Sequence, residues 1–140
     1  MPQLPTLWSL ALLVALTACG SSDTVVAGPQ MISASPHEVP FLGPVPVAGP
    51  RRRLCFDFDP PGESHNAPFL QAVLLAVDGR RDGVLEPSLD RRGEGRVCMI
   101  VPEPTGAEAD RLRGTRYRGV ELLSTGPEVR LHAIRWWSGR

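Results

Sequence analysis

Lysine is absent from this 140-residue chain: its 15 basic residues are all arginine, and 15 acidic residues balance them to a formal net charge of zero. Genomic composition bias accounts for the missing lysine, and the zero balance leaves no basic footprint for nucleic acid. Long apolar runs are absent as well. The longest, Leu7 to Leu16, spans about ten residues where a membrane helix needs roughly twenty. Histidine is scarce, and His37, His65 and His132 stand too far apart to suggest a metal site. No activated nucleophile or metal-ligand set is visible, so no catalytic nucleophile is expected, and neither is a metal or cofactor. Internal repeats of useful length are missing too.

The amino terminus is the most informative segment. The apolar run is followed by Leu16-Thr17-Ala18-Cys19, the order of a signal-peptide core and a small-residue cleavage site. This tetrapeptide resembles the lipobox of bacterial lipoproteins, which implies cleavage after residue 18 and a diacylated Cys19. No arginine precedes the run, although a positive segment is usual there. Each buried methylene contributes about 0.8 kcal/mol, so several acyl chains make a durable anchor. Gly20 rather than aspartate follows the cysteine, and in the enteric pattern this resembles, that choice sends a protein to the outer membrane. The expected location is therefore the periplasm, lipid-anchored, with residues 1–18 as a signal peptide.

Residues 19–50 read as a flexible tether. Pro29, Pro36, Pro40, Pro44, Pro46 and Pro50 interrupt the segment, no apolar period is sustained, and ordering it would bury little against the entropy lost. An extended proline-rich chain rises about 3.1 Å per residue, so the segment could hold a domain up to roughly 90 Å from a membrane. Val39-Pro40-Phe41-Leu42 could instead lie against the domain or serve as a peptide ligand.

Residues 51–140 are enough for one small β-rich domain with one core. Leu54, Phe56 and Phe58 alternate with Cys55, Asp57 and Asp59, the period of a half-buried strand, ended by Pro60-Pro61-Gly62. Val97-Cys98-Met99-Ile100-Val101 is a short β-prone run between Gly95 and Pro102. In an oxidising periplasm Cys55 and Cys98 are expected to bond, from strands that are either neighbours or opposed across the core; two separately buried thiols are the alternative. Residues 67–77 fit a helix or a strand, and a strand from Val73 to Val77 turning at Asp78-Gly79 is preferred. Val120 to Trp136 reads as a hairpin turning between Ser124 and Glu128. The fold expected is mostly β, a small antiparallel β-sandwich behind the tether.

Charged side chains offer limited chemistry. Asp57, Asp59 and Glu63 bring carboxylates together, as hydrolysis or calcium binding would need, but the group lacks a loop consensus. Asp78 to Gly83 carries Arg80 where a calcium loop wants oxygen, so turn chemistry is the simpler reading. Arg51-Arg52-Arg53 could touch lipid phosphates or an acidic partner, or be a solvated edge. The C-terminal arm is more suggestive. Arg130, His132, Ile134 and Trp136 fall on one strand face and Leu131, Ala133, Arg135 and Trp137 on the other, so one tryptophan should face the core and one the surface. Arginine and tryptophan commonly anchor protein interfaces, and Arg130, His132, Arg135 and Trp136 are the candidate partner contacts.

The order of lipobox, proline-rich segment, Leu54-Cys55-Phe56-Asp57-Phe58, Val97-Cys98-Met99-Ile100, Leu112-Arg113-Gly114-Thr115-Arg116-Tyr117 and a closing strand resembles the small periplasmic lipoproteins of type VI secretion immunity. The resemblance covers about ninety residues. It implies a β-rich domain without catalytic activity that binds a rival's toxin and blocks it. A structural or accessory lipoprotein of a cell-envelope complex is the alternative, favoured by a long tether, and an enzyme using Asp57 or Asp59 is a third reading.

Overall fold

The computed structural model describes residues 22–60, 70–84, 87–88 and 95–139. Cys19, His65, Glu63 and the signal segment lie outside these residues. Among the described residues ten strands and one short helix follow in order: β1 (Ser22–Ala27), β2 (Gln30–Ile32), β3 (His37–Pro46), β4 (Arg52–Phe58), β5 (Leu70–Ala76), β6 (Arg81–Val84), β7 (Pro87–Ser88), β8 (Arg96–Ile100), α1 (Gly106–Leu112), β9 (Arg116–Ser124) and β10 (Val129–Ser138). They form two antiparallel sheets. Sheet I has the order β1-β10-β4-β8-β7, with β2 also pairing β10, and sheet II has the order β3-β9-β5-β6. The expected mostly β antiparallel sandwich holds.

Alternation builds the core. Leu54, Phe56 and Phe58 of β4 turn inward from sheet I and meet Leu70, Ala72 and Leu74 of β5 and Val120 and Leu122 of β9 from sheet II, all at most 4% exposed. Apolar burial of this kind contributes roughly 25 cal/mol per Å² removed from water. Cys55 and Cys98 point the other way, on the outer face of sheet I, and are directly opposed in the β4–β8 ladder with their Cα atoms 4.0 Å apart. They are disulfide-bonded. The cysteine strands are therefore neighbours.

Three expectations need correction or refinement. In place of the flexible tether expected over residues 19–50, residues 22–46 supply three strands, β1 and β2 against β10 and β3 against β9. Val26, Ile32, Val39, Val45 and Val47 from this stretch are all at most 7% exposed. The prolines hid this: Pro40, Pro44 and Pro46 stand in β3, an edge strand, where a residue without an N–H is tolerated, and Pro29, Pro36 and Pro50 lie between strands. The tether reading of residues 19–21 lies outside the described residues. Next, Ser124 to Glu128 does turn the chain, but β9 and β10 do not pair. They belong to different sheets, so the connection is an arch across the core rather than a hairpin. Ser124, fully buried, shapes this arch: its Oγ donates to the Pro127 carbonyl and accepts from the Gly126 N–H. Finally, the ambiguous 67–77 segment gives the strand Leu70–Ala76, turning at Gly79 with φ +90°.

α1 was not anticipated. It runs seven residues, buries Leu112 and gives way at Gly114, whose φ of +85° suits a residue without a Cβ.

Candidate functional site

The outer face of sheet I is built by the residues that alternate away from the core. β4 contributes Arg53, Cys55 and Asp57, which register against Ile100, Cys98 and Arg96 of β8. β10 contributes Arg135 opposite Cys55 and Trp137 opposite Arg53, and Asp23 of β1 lies opposite Trp137. One strand period thus sets charged, aromatic and disulfide-bonded side chains on a single surface.

Asp57 is the hub. Its carboxylate accepts from Arg96 Nε at 2.6 Å and from Arg135 Nε at 2.8 Å, and its side chain is only 15% exposed. Asp23 stands 3.8 Å from Arg96 Nη1 and 3.7 Å from Arg135 Nη1. Burial pushes the Asp57 carboxyl up, but the hydrogen bonds and charges of the two arginines outweigh it and hold the group below the usual carboxylate range. A carboxylate so bound is a fixed ion-pair partner, not a base poised near neutral pH. Beside this network the Arg53 guanidinium lies 5.3 Å from the Trp137 ring centroid, within cation–π range.

The four candidate contacts on β10 separate. Arg130 and His132 are exposed, and Arg135 is half-buried in the Asp57 network. Trp136 is not on this surface: it is a core residue, 3% exposed, with its ring 5.9 Å from that of Tyr117. The cause is a β-bulge. The β10–β4 register shifts between Leu131 and Ala133, so Val129 and Leu131 face inward before it and Ile134 and Trp136 after it. One extra residue exchanges the faces of a strand. The expectation of one buried and one outward tryptophan holds, with Trp137 as the outward one. Asp57, Arg96, Arg53 and Trp137 were missed as a group because their partnership depends on strand order; the alternation of β4 was the available signal.

The Asp78–Gly83 segment is turn chemistry in the structure. Asp78 Oδ1 accepts from the Arg80 N–H, while Asp82 accepts from Arg80 Nε and from the Tyr117 hydroxyl at 2.6 Å. Burial and the adjacent Asp82 push the Tyr117 hydroxyl up to about 12. Of the rest of the acidic group, Asp59 is exposed and precedes a cis proline. His37 sits at the start of β3, where its Nε2 is 3.2 Å from Gln30 Oε1. Among the described residues no three histidine, cysteine or acidic side chains are placed to hold a metal.

Geometry thus defines the class as a two-sheet antiparallel sandwich, with a cross-strand disulfide and an arginine–tryptophan outer face. No protein-family model matches the chain, and no curated protein matches it either.

Proposed function

We propose that this chain is a periplasmic lipoprotein, anchored through Cys19, that binds a protein partner with the outer face of sheet I. The observation that carries the reading is the Asp57–Arg96–Arg135 network beside the stacked Arg53–Trp137 pair. It presents the residue types that dominate interface energetics, already held in place. A preset surface loses little side-chain freedom when a partner arrives, and its excess of arginine suits an acidic patch.

The finer reading is immunity: the partner is a toxin delivered by a rival, the protein blocks it, and the anchor is in the outer membrane. This rests on the resemblance of the Cys55 and Cys98 strands and the Leu112–Tyr117 step, and on Gly20 after the lipobox. The same reading makes the protein non-catalytic, and of the two carboxylates a hydrolase would use, Asp57 and Asp59, the first is committed to two arginines. The accessory-subunit alternative drew on a long reach from the membrane, and residues 22–46 form strands instead.

The test is growth of cells that direct the product of the adjacent gene to the periplasm, with and without this protein. Growth arrest relieved by this protein is expected. Arrest that it does not relieve, or no arrest, would turn the reading to an envelope accessory subunit. Cys19→Ser should leave the protein unprocessed or soluble, and unchanged membrane fractionation would count against the anchor.

A further inference from the structure

A groove runs along the edge of the sandwich where β1 of sheet I meets β3 of sheet II. Val25 and Val26 of β1, Leu42, Pro44 and Val45 of β3, and Trp136 of β10 line it, and its volume is about 460 Å³. β3 opens the groove by leaving its partner. The β3–β9 register breaks between Pro40 and Val45, and the intervening residues bow outward. Leu42 on this bow is 79% exposed. The Trp136 indole nitrogen is buried in the wall and has no hydrogen-bond partner among the described residues. An exposed leucine on an apolar groove calls for an apolar occupant.

Chain length says where that occupant is. Three peptide steps separate Cys19 from Ser22, so their Cα atoms lie within about 11 Å of one another. Ser22 pairs with Ser138, which also lines the groove. A lipid on Cys19 therefore brings this edge to the bilayer. Added strands fit poorly, because Pro40, Pro44 and Pro46 remove N–H groups from the β3 edge. Arg51 is exposed at the same corner, where the Ser138 hydroxyl donates to the Pro50 carbonyl. There it can meet anionic headgroups.

We infer that the β1–β3 groove docks on the bilayer that holds Cys19, with Leu42 among the lipid chains. The inference rests on the lipoprotein reading. It gives the domain a fixed attitude on the membrane, instead of free movement on a long leash, and sets the groove edge towards the lipid.

The experiment uses the mature lipidated protein carrying Trp137→Phe, which leaves Trp136 as its one tryptophan once residues 1–18 are removed. It is reconstituted in phosphatidylglycerol-containing vesicles with or without brominated acyl chains. Brominated lipid is expected to lower Trp136 fluorescence at least twofold. Leu42→Asp should abolish this quenching while the protein stays vesicle-bound through its lipid. Vesicle-bound, lipidated protein whose Trp136 is unquenched overturns the inference, whether the groove is empty or a second copy fills it; a dimer mass in detergent would identify the latter. Protein that carries no lipid mass and does not bind vesicles refutes the lipoprotein reading, and the docking with it.

Discussion

The two sheets bury similar apolar inner faces and differ on the outside. Sheet I carries a disulfide, a carboxylate shared by two arginines and a stacked arginine–tryptophan pair. Sheet II carries the simpler Arg81–Glu121 pair at 2.8 Å, with the arginine side chain 52% exposed. The inner faces specify the fold, and either outer face could have been left to solvent. That one of them is cross-linked and preset with interface-type residues is what distinguishes a candidate platform from a solvated sheet.

The largest expected effect lies in the disulfide. Its sequence separation of 43 residues corresponds to about 4 kcal/mol in the chain-entropy model. Cys55→Ala with Cys98→Ala should lose most of that in urea denaturation at pH 7. A loss under about 1 kcal/mol would mean that ladder pairing alone holds sheet I.

Asp57→Asn should cost about 1.5–3 kcal/mol, the range for hydrogen bonds to charged groups, because two partly buried guanidinium groups lose their shared carboxylate. Its pH signature has a definite sign. A depressed folded pKa contributes stability that is present above the unfolded value, about 4, and is lost as pH falls through the lower folded value. The wild type should therefore lose stability on the acid side of pH 4, and Asp57→Asn should show a flatter acid limb. Parallel acid limbs would remove Asp57 as the hub.

On sheet II, Gly119→Ala should cost about 1–3 kcal/mol by overpacking. A Cβ there would lie 2.7 Å from the Val39 carbonyl oxygen, which is backbone and cannot swing aside. An unchanged thermal midpoint would show that β3 moves freely on β9. Arg81→Ala should be the mildest, within about 1 kcal/mol, as for exposed ion pairs generally.

Local signals are legible in this sequence, and those that depend on strand pairing are not. The β4 alternation announced both an inward aromatic face and an outward cysteine, and Asp78-Gly79 announced its turn. Proline content in residues 20–50 pointed away from structure, because composition counts lost hydrogen bonds without knowing which strands stand at an edge. The turn after Ser124 was legible, but whether it joins neighbours in a sheet or crosses between sheets depends on what β3 and β4 pair with. The bulge at His132 is a one-residue event with no local marker, yet it moved Trp136 into the core and left Trp137 outside. The candidate site inherits that shift: strict alternation puts Arg130 and His132 on the face opposite Arg135, the bulge brings the three to one side, and Asp57, Arg96 and Arg53 join them only through strand order.

The central claim is that the outer face of sheet I, not sheet II, meets a partner. The direct measurement is the affinity of the purified adjacent-gene product for the wild type and for folded, disulfide-intact Arg130→Ala, Trp137→Ala and Arg81→Ala variants. Trp137→Ala is predicted to weaken binding by about 30-fold, the scale of an interface hot spot near 2 kcal/mol, with Arg130→Ala also weaker and Arg81→Ala within about twofold. Weakening by Arg81→Ala with the sheet I variants unchanged would contradict the account.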